Sequence, residues 1–328
     1  MSPINSRVNR RVALAGLALT VASRASAQEV YPNRMLKMIV AQPPGNSADL
    51  VARMLAERLK RALGQPVVVD NRPGASGSIG VAAIASAPPD GYTIGIGGIG
   101  QLALNPTLYS KLPYDAQNGF TPIAIVYRGP MLILVDAASP ITSVRELVAQ
   151  SQASSTGLDF TSAGAGSIMH LMGEHLALTA RAKMLHVPSR GTAAAATLVL
   201  GKHAAMLVEN VTASISFVRS GQLRALAITS AQRHPSLPNV PSIVESGYPN
   251  LVTEGWLSLV APAGLPAPVR DRLAEEVRKI VQQPDFQSWT VNSGGLVEPT
   301  TPEQAGAYVR AEAARWSELI RAVGIKLD

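Results

Sequence analysis

Short apolar runs in this chain are followed, repeatedly, by a turn of small residues and then by a stretch with helical spacing of its apolar positions. Met38-Ile39-Val40 is the first such run. Ala41-Gln42-Pro43-Pro44-Gly45 turns the chain, and Val51, Leu55, Leu59 and Ala62 then share one helical face until Gly64. Val67–Val69, Tyr92–Ile96, Leu158–Phe160, Met184–Val187, Ala204–Val208 and Leu223–Ile228 read as further strands, most of them leading into helical stretches. Ser143 with Glu146, and Thr301 with Gln304, are capping boxes that open two of the helices; Thr192 is read as the cap of another. Strands separated by helices pair in parallel, so the pattern predicts an α/β fold with a sheet covered on both faces. Ligands of such sheets bind beyond the carboxyl ends of the strands.

One stretch breaks the alternation. Ile123–Val135 is a long apolar run interrupted at Arg128-Gly129-Pro130, long enough to cross from one domain to another, and Trp256–Ala261 is its candidate return. Asn105-Pro106 and Leu112-Pro113-Tyr114-Asp115 are read as interruptions of regular structure.

Residues 1–27 stand apart. Arg7, Arg10 and Arg11 precede an apolar run, Val12–Ala22, that is too short to span a bilayer; Ala25-Ser26-Ala27 is a small-residue cleavage site before Gln28. This is the pattern of a secretory signal peptide cleaved after Ala27. The Arg10-Arg11 pair also admits a twin-arginine route, with general export the simpler reading. Four of the 29 Lys and Arg fall in this leader, which holds no acid, so the rest carries 25 basic against 22 acidic residues. With no basic cluster and few aromatics, no nucleic-acid partner is expected. The chain has no Cys, which excludes thiol chemistry, disulfides and Cys-ligated metals.

The chemical motifs are weak where they suggest catalysis. Gly95-Ile96-Gly97-Gly98-Ile99-Gly100 fits G-x-G-x-x-G after a strand, but a dinucleotide site also needs a helix directly behind it and an acid about 20 residues on. Asn105-Pro106 interrupts the first and the second is missing, so no cofactor is expected; the segment reads as a strand-end loop able to face a ligand. His170, Glu174 and His175 share a helix without a metal-ligand spacing, and no metal site is expected. No G-x-S-x-G elbow accompanies Ser76 or Ser167, and no catalytic residue is assigned.

Binding is better founded. Asn46 or Ser47 can cap the first helix, with Asp49 reaching back to it. The free amides and dipole of a helix N-terminus favour an anion. A second small-residue loop of this kind, Ser162-Ala163-Gly164-Ala165-Gly166-Ser167, opens the helix that carries His170. Two such loops, one in each half of the chain, can face each other across a cleft and hold a small carboxylate as hinged lobes close on it.

Seven segments carry a family resemblance: P-P-G-N-S-A-D-L-V-A-R, D-N-R-P-G-A-S-G-S-I-G, P-D-G-Y-T-I, N-P-T-L-Y-S-K-L-P-Y-D, T-S-A-G-A-G-S-I-M-H-L, L-R-A-L-A-I-T-S and A-P-A-G-L-P. In this order, over essentially the whole chain after the leader, they resemble the Bug (Bordetella uptake gene) family, the periplasmic receptors of tripartite tricarboxylate transporters. The resemblance implies a type II periplasmic binding fold: two α/β domains joined by two crossing strands, with the ligand cleft between them. The expected division is residues 28–128 with 252–328, and 129–251. It further implies a periplasmic, non-catalytic receptor for a small di- or tricarboxylate, aromatic acid or amino acid, working with membrane permease subunits or in sensing. An enzyme on the same scaffold, a hydrolase or isomerase using His170 or Asp49, is the alternative. Carried over by position, the ligand-binding residues are Pro44, Gly45, Asn46, Ser47 and Asp49; Gly98, Ile99, Gly100 and Gln101, with Asn105 nearby; Ser162, Ala163, Gly164, Ala165, Gly166, Ser167 and His170; and Ser189, Thr192, Glu209 and Asn210. This chain has Asn46 where the family usually has Gly, Ser189 where it has Tyr, and Ala204 where it has Asp. The first two bear on the ligand's identity and size.

Overall fold

The computed structural model describes residues 31–327, and every element below belongs to one unit that begins at Arg34. The leader lies outside the described residues. In chain order, the first half contains β1 (Leu36–Val40), α1 (Ser47–Leu63), β2 (Val67–Asn71), α2 (Ser78–Ala85), β3 (Thr93–Gly98), α3 (Asn105–Leu108) and β4 (Phe120–Asp136). Then follow α4 (Val144–Ala153), β5 (Leu158–Ser162), α5 (Ile168–Ala180), β6 (Met184–Pro188), α6 (Thr192–Leu200), β7 (Met206–Asn210), α7 (Val211–Arg219) and β8 (Leu223–Ile228). The chain continues through β9 (Glu254–Pro262), α8 (Ala267–Val281), α9 (Pro284–Asn292) and α10 (Pro302–Val323).

The strands are ordered β2-β1-β3-β9-β4-β7-β5-β6, with β8 also paired to β4. β1 is parallel to β2 and β3, and β5 is parallel to β6 and β7, as the alternation predicts. Leu36, Met38, Ile39 and Val40 are all buried because helices cover both faces of this parallel segment. The two parallel sets are joined by antiparallel strands. β4 is 17 residues long: Phe120–Pro130 runs against β9, and Met131–Asp136 against β7 and β8. Its apolar run is buried on both faces from Ile123 to Val135 except at Arg128, the residue at the break seen in the sequence. β9 lies between β3 and β4, so the return crossing is the strand expected at Trp256–Ala261.

Helix ends follow the sequence closely in two places. Gly64 ends α1 in the left-handed region at φ 69°, donating its N–H to Lys60 O, which a residue with a β-carbon does at a cost. Thr301 and Gln304 form the full reciprocal capping box of α10. Two readings change. Thr192 is the first helical residue of α6, not its cap; Gly191 holds the cap position and the Thr192 hydroxyl is used elsewhere. Asn105-Pro106 does not interrupt the structure. A π turn, Gly100–Leu104, leads straight into α3, with Asn105 N–H bonded to Gly100 O. Pro106 has no N–H to give the next carbonyl in that ladder, Gln101 O, and the Tyr114 hydroxyl donates to it instead at 2.8 Å. A helix therefore does follow the G-x-G-x-x-G segment.

Candidate functional site

A cavity of about 360 Å³ lies beyond the carboxyl ends of β1, β3 and β5. Ser47 lines it at the start of α1; Gly98, Ile99, Gly100 and Gln101 at the end of β3; Ala165, Gly166 and Ser167 before α5; and Asn210 before α7. Residues of both small-residue loops thus meet on one space. The rest of the wall was not singled out as ligand-binding from sequence: Gln42, Ser76, Leu104, Tyr109, Tyr127, Gly129, Ile168, Met169, Thr212, Gly255, Trp256, Leu257 and Leu327; Asn105, expected nearby, also lines it. Tyr127 and Gly129 on β4, and Gly255–Leu257 on β9, belong to the two crossing strands. The break at Arg128-Gly129-Pro130 was the signal that could have located them.

Pro44, Gly45, Asn46 and Asp49 do not line the cavity but build the loop behind Ser47. Asn46 caps α1, its Oδ1 accepting from the amides of Ala48 (2.9 Å) and Asp49 (3.2 Å). Its Nδ2 donates to Gln42 Oε1. Asp49 is 2% exposed and accepts from Gly45 N–H (2.9 Å), Arg53 Nε (3.0 Å) and Asn71 Nδ2 (2.9 Å). Burial raises the Asp49 pKa, but the bonds from Arg53, Gly45 and Asn71 outweigh it and hold the carboxyl below its ordinary value. The amides of Gly45, Ala48 and Asp49 are thereby spent on side chains of the same loop.

The β3 loop is fixed by Gln101. Its Oε1 accepts from Gly98 N–H at 3.1 Å and its Nε2 donates to Ser76 O at 2.9 Å. Ser76 sits at φ 53° beside Ala75 at φ 45°, two non-glycine residues in the left-handed region. Asn105 also reaches Ser76 O, at 3.4 Å, and Tyr109 bonds the Ser76 hydroxyl at 2.8 Å. Strained backbone of this kind persists only where its surroundings hold it, and here they do.

In the second half, Ser162, Ala163, Gly164, His170, Ser189, Thr192 and Glu209 form the support under Ala165–Ser167 and Asn210. Ser167 caps α5 by accepting from His170 N–H at 3.2 Å and donates to Gly164 O at 2.6 Å. His170 Nδ1 accepts from Gly166 N–H at 3.0 Å, and Nε2 faces Glu174 Oε1 at 3.3 Å, which puts the ring proton on Nε2. His170 stacks on His186, whose Nε2 meets the Ser162 hydroxyl at 2.8 Å. Ser189 donates to Ser162 O at 2.8 Å, and Ala163 O accepts from Gly191 N–H at 3.0 Å. Glu209 accepts from Thr192 Oγ1 (2.9 Å) and Asn210 N–H (2.8 Å). Burial pushes Glu209 above the usual carboxylate range, against the lowering effect of those two bonds.

The electrostatics of the cavity come from backbone. Among the described residues that line it there is no Lys, Arg, His, Asp or Glu. The N-termini of α1, α5 and α7 border it at Ser47, Ser167 and Asn210, and each directs a positive dipole end toward the space. The rest of the lining is largely apolar and aromatic: Trp256 and Leu257 on β9, Ile168 and Met169 in the first turn of α5, and Leu327 against Gly166. The arrangement can hold an acid group at the helix ends and a hydrocarbon body against the apolar lining. Among the described residues no group of three or more His, Asp or Glu could hold a metal ion, and no helix is long and apolar enough to cross a membrane.

Known proteins share this architecture. The chain is 34% identical to the protein BugT of Bordetella pertussis over 317 residues, covering 96% of each. A structure of an R. palustris protein with adipate superposes with a TM-score of 0.79 at 31% identity, covering 90% of this chain and 99% of that one. MatC from Rhodopseudomonas palustris with bound malate gives a TM-score of 0.74 at 27% identity, covering 88% and 100%. Residues 51–325 match the family TctC, described as the tripartite tricarboxylate transporter family receptor. With that match spanning most of the chain, and with a two-domain fold shared with periplasmic binding proteins, the protein belongs to the tripartite tricarboxylate transporter receptor family, the solute-binding receptors in which the Bug proteins fall.

Proposed function

We propose that this receptor captures a small carboxylate-bearing metabolite in the cavity between its halves, without chemical change, in the periplasm after cleavage behind Ala27, and passes it to membrane permease subunits. The observation that carries the reading is the charge-free cavity bordered by three helix N-termini. Each such terminus contributes about 0.3–1 kcal/mol toward an exposed anion and up to about 2 when partly buried. Together with exclusion of water, this supports affinity of about −8 kcal/mol, the micromolar range. The acids bound by the two R. palustris proteins, adipate and malate, are of the same chemical class. In this proposal the lobes are residues up to 128 with those from 252 onward, and 129–251, and closure flexes β4 and β9 where they cross.

A catalytic role has less support. The side chains such a role would use, Asp49 and His170, are buried and hydrogen-bonded behind the cavity wall. The test is a thermal-shift screen of dicarboxylates, tricarboxylates, aromatic acids and amino acids, with each hit recovered afterwards. A receptor gains stability from its ligand and returns it intact. Turnover of a hit, or stabilisation by none of the acids, would overturn the reading.

A further inference from the structure

α10 ends at Val323, and Gly324 turns the chain by donating its N–H to Ile320 O at 3.0 Å. The residues that follow return to the cavity. Leu327 donates its backbone N–H to Leu108 O at 3.0 Å. Leu108 is the last residue of α3, and its carbonyl is one of those a helix end leaves without an internal partner. The Leu327 side chain then lines the cavity beside Leu104 and Tyr109 of the first half and Gly166 of the second. The approach to Gly166 is close: a β-carbon there would stand 2.3 Å from Leu327 Cδ1, and 3.4 Å from Leu108 Cδ1. Gly166 also holds φ 70°, so its backbone conformation favours glycine, and a β-carbon there would displace the tip of Leu327. One residue outside any helix or strand thus touches the first half of the chain at Leu108 and the second at Gly166.

We propose that the segment after α10, acting through Leu327, is the wall that sets how long a ligand the cavity accepts. The inference rests on the carboxylate-receptor reading above. An acid group held at the N-terminus of α1 leaves the ligand's reach to be limited by the side chains on the α5 side of the space, where Leu327 packs against Gly166. Trp256, Leu257, Ile168 and Met169 belong to helices and strands whose positions the sheet determines. Leu327 is held by one backbone hydrogen bond and by packing, so its side chain can change size without unseating an element. A hydrophobic wall discriminates ligands that differ by one methylene by about 10-fold or more.

The experiment is calorimetric titration of the full chain with unbranched α,ω-dicarboxylates of increasing length, on the wild type and on Leu327→Ala and Leu327→Phe. Leu327→Ala is expected to move the best-bound length upward, raising the affinity ratio of the longer acid to the shorter by about 10-fold. Leu327→Phe is expected to move it downward. Should the Ala variant fold poorly, Leu327→Val carries the same sign at smaller size. A wild type that binds acids, with variants that keep its length order or lose all affinities equally, overturns this inference alone. A wild type that binds none of them overturns the receptor reading and this inference with it.

Discussion

Trp256 donates its indole N–H to Glu312, 3.3 Å away, so a tryptophan of the cavity wall is held from behind by α10. Trp316 donates to the same carboxylate oxygen at 3.0 Å but does not line the cavity, and neither does Trp289. Ligand entry is expected to change the intrinsic fluorescence through Trp256. In Trp256→Phe that change should vanish while calorimetry still detects binding. A full signal retained in the variant would place the ligand away from this wall.

The loop before α1 is expected to matter for stability first. Asp49→Ala removes a buried acceptor of three hydrogen bonds and should cost roughly 2–4 kcal/mol in denaturant unfolding. Asn46→Ala loses the cap and should cost about 1 kcal/mol, with ligand preference unchanged because Asn46 is outside the wall. Because the folded Asp49 pKa is lowered, its contribution is present above the ordinary carboxylate value of 3.8 and is lost as pH falls through the folded value. A change of ligand order in Asn46→Ala would show that the loop contacts the ligand after all.

Glu209 works in the opposite direction. Its folded pKa is raised by burial, so the folded chain holds a proton that the unfolded chain releases first. Stability associated with this group is full below the unfolded pKa and declines as pH rises toward the folded one. Glu209→Gln keeps an acceptor for the Asn210 amide and cannot ionise. It should be more stable than wild type near neutral pH, with the gap closing below about pH 4, near the ordinary glutamate value. Melting curves of the two proteins across that range decide it; a constant gap would mean that ionisation of Glu209 is not its source.

Acid should also unfold the protein through histidines. Burial, with the Arg315 charge added, holds His175 down to about 4; burial, with His170 added, holds His186 at about 4. Among the described residues His175 Nδ1 has no hydrogen-bond partner. Between the ordinary histidine value of 6.5 and 4, the unfolded chain takes up protons that the folded chain refuses, so stability falls as pH drops through this window. His175→Phe should flatten the fall in melting temperature between pH 7 and pH 4. An unchanged slope would remove His175 as a cause.

The fold was legible because its signals are local. The apolar run of β1, the helical face of α1 and its terminating Gly64 all sit within one stretch of sequence, and the parallel sheet follows from their repetition. The length of β4 gave the crossing. The π turn at Gly100–Leu104 was not legible, because the compensation for Pro106 comes from Tyr114, which only the tertiary structure brings near. The same limit applies to the site. Sequence identified the two loops that meet at the cavity, but not which of their amides are already bonded. Asn46 and Asp49 spend the amides of their own loop, leaving Ser47 to face the space, and Leu327 arrives from far along the chain.

The chamber's lack of acidic and basic side chains has a consequence for selection. Lining residues that keep the same charge from mildly acidic to mildly alkaline solution leave ionisation to the guest and to groups behind the wall, Glu209 among them. Binding preference should therefore follow the guest's own pKa wherever Glu209 holds one state, so that one scaffold sorts small acids by shape and by how fully each has shed its protons.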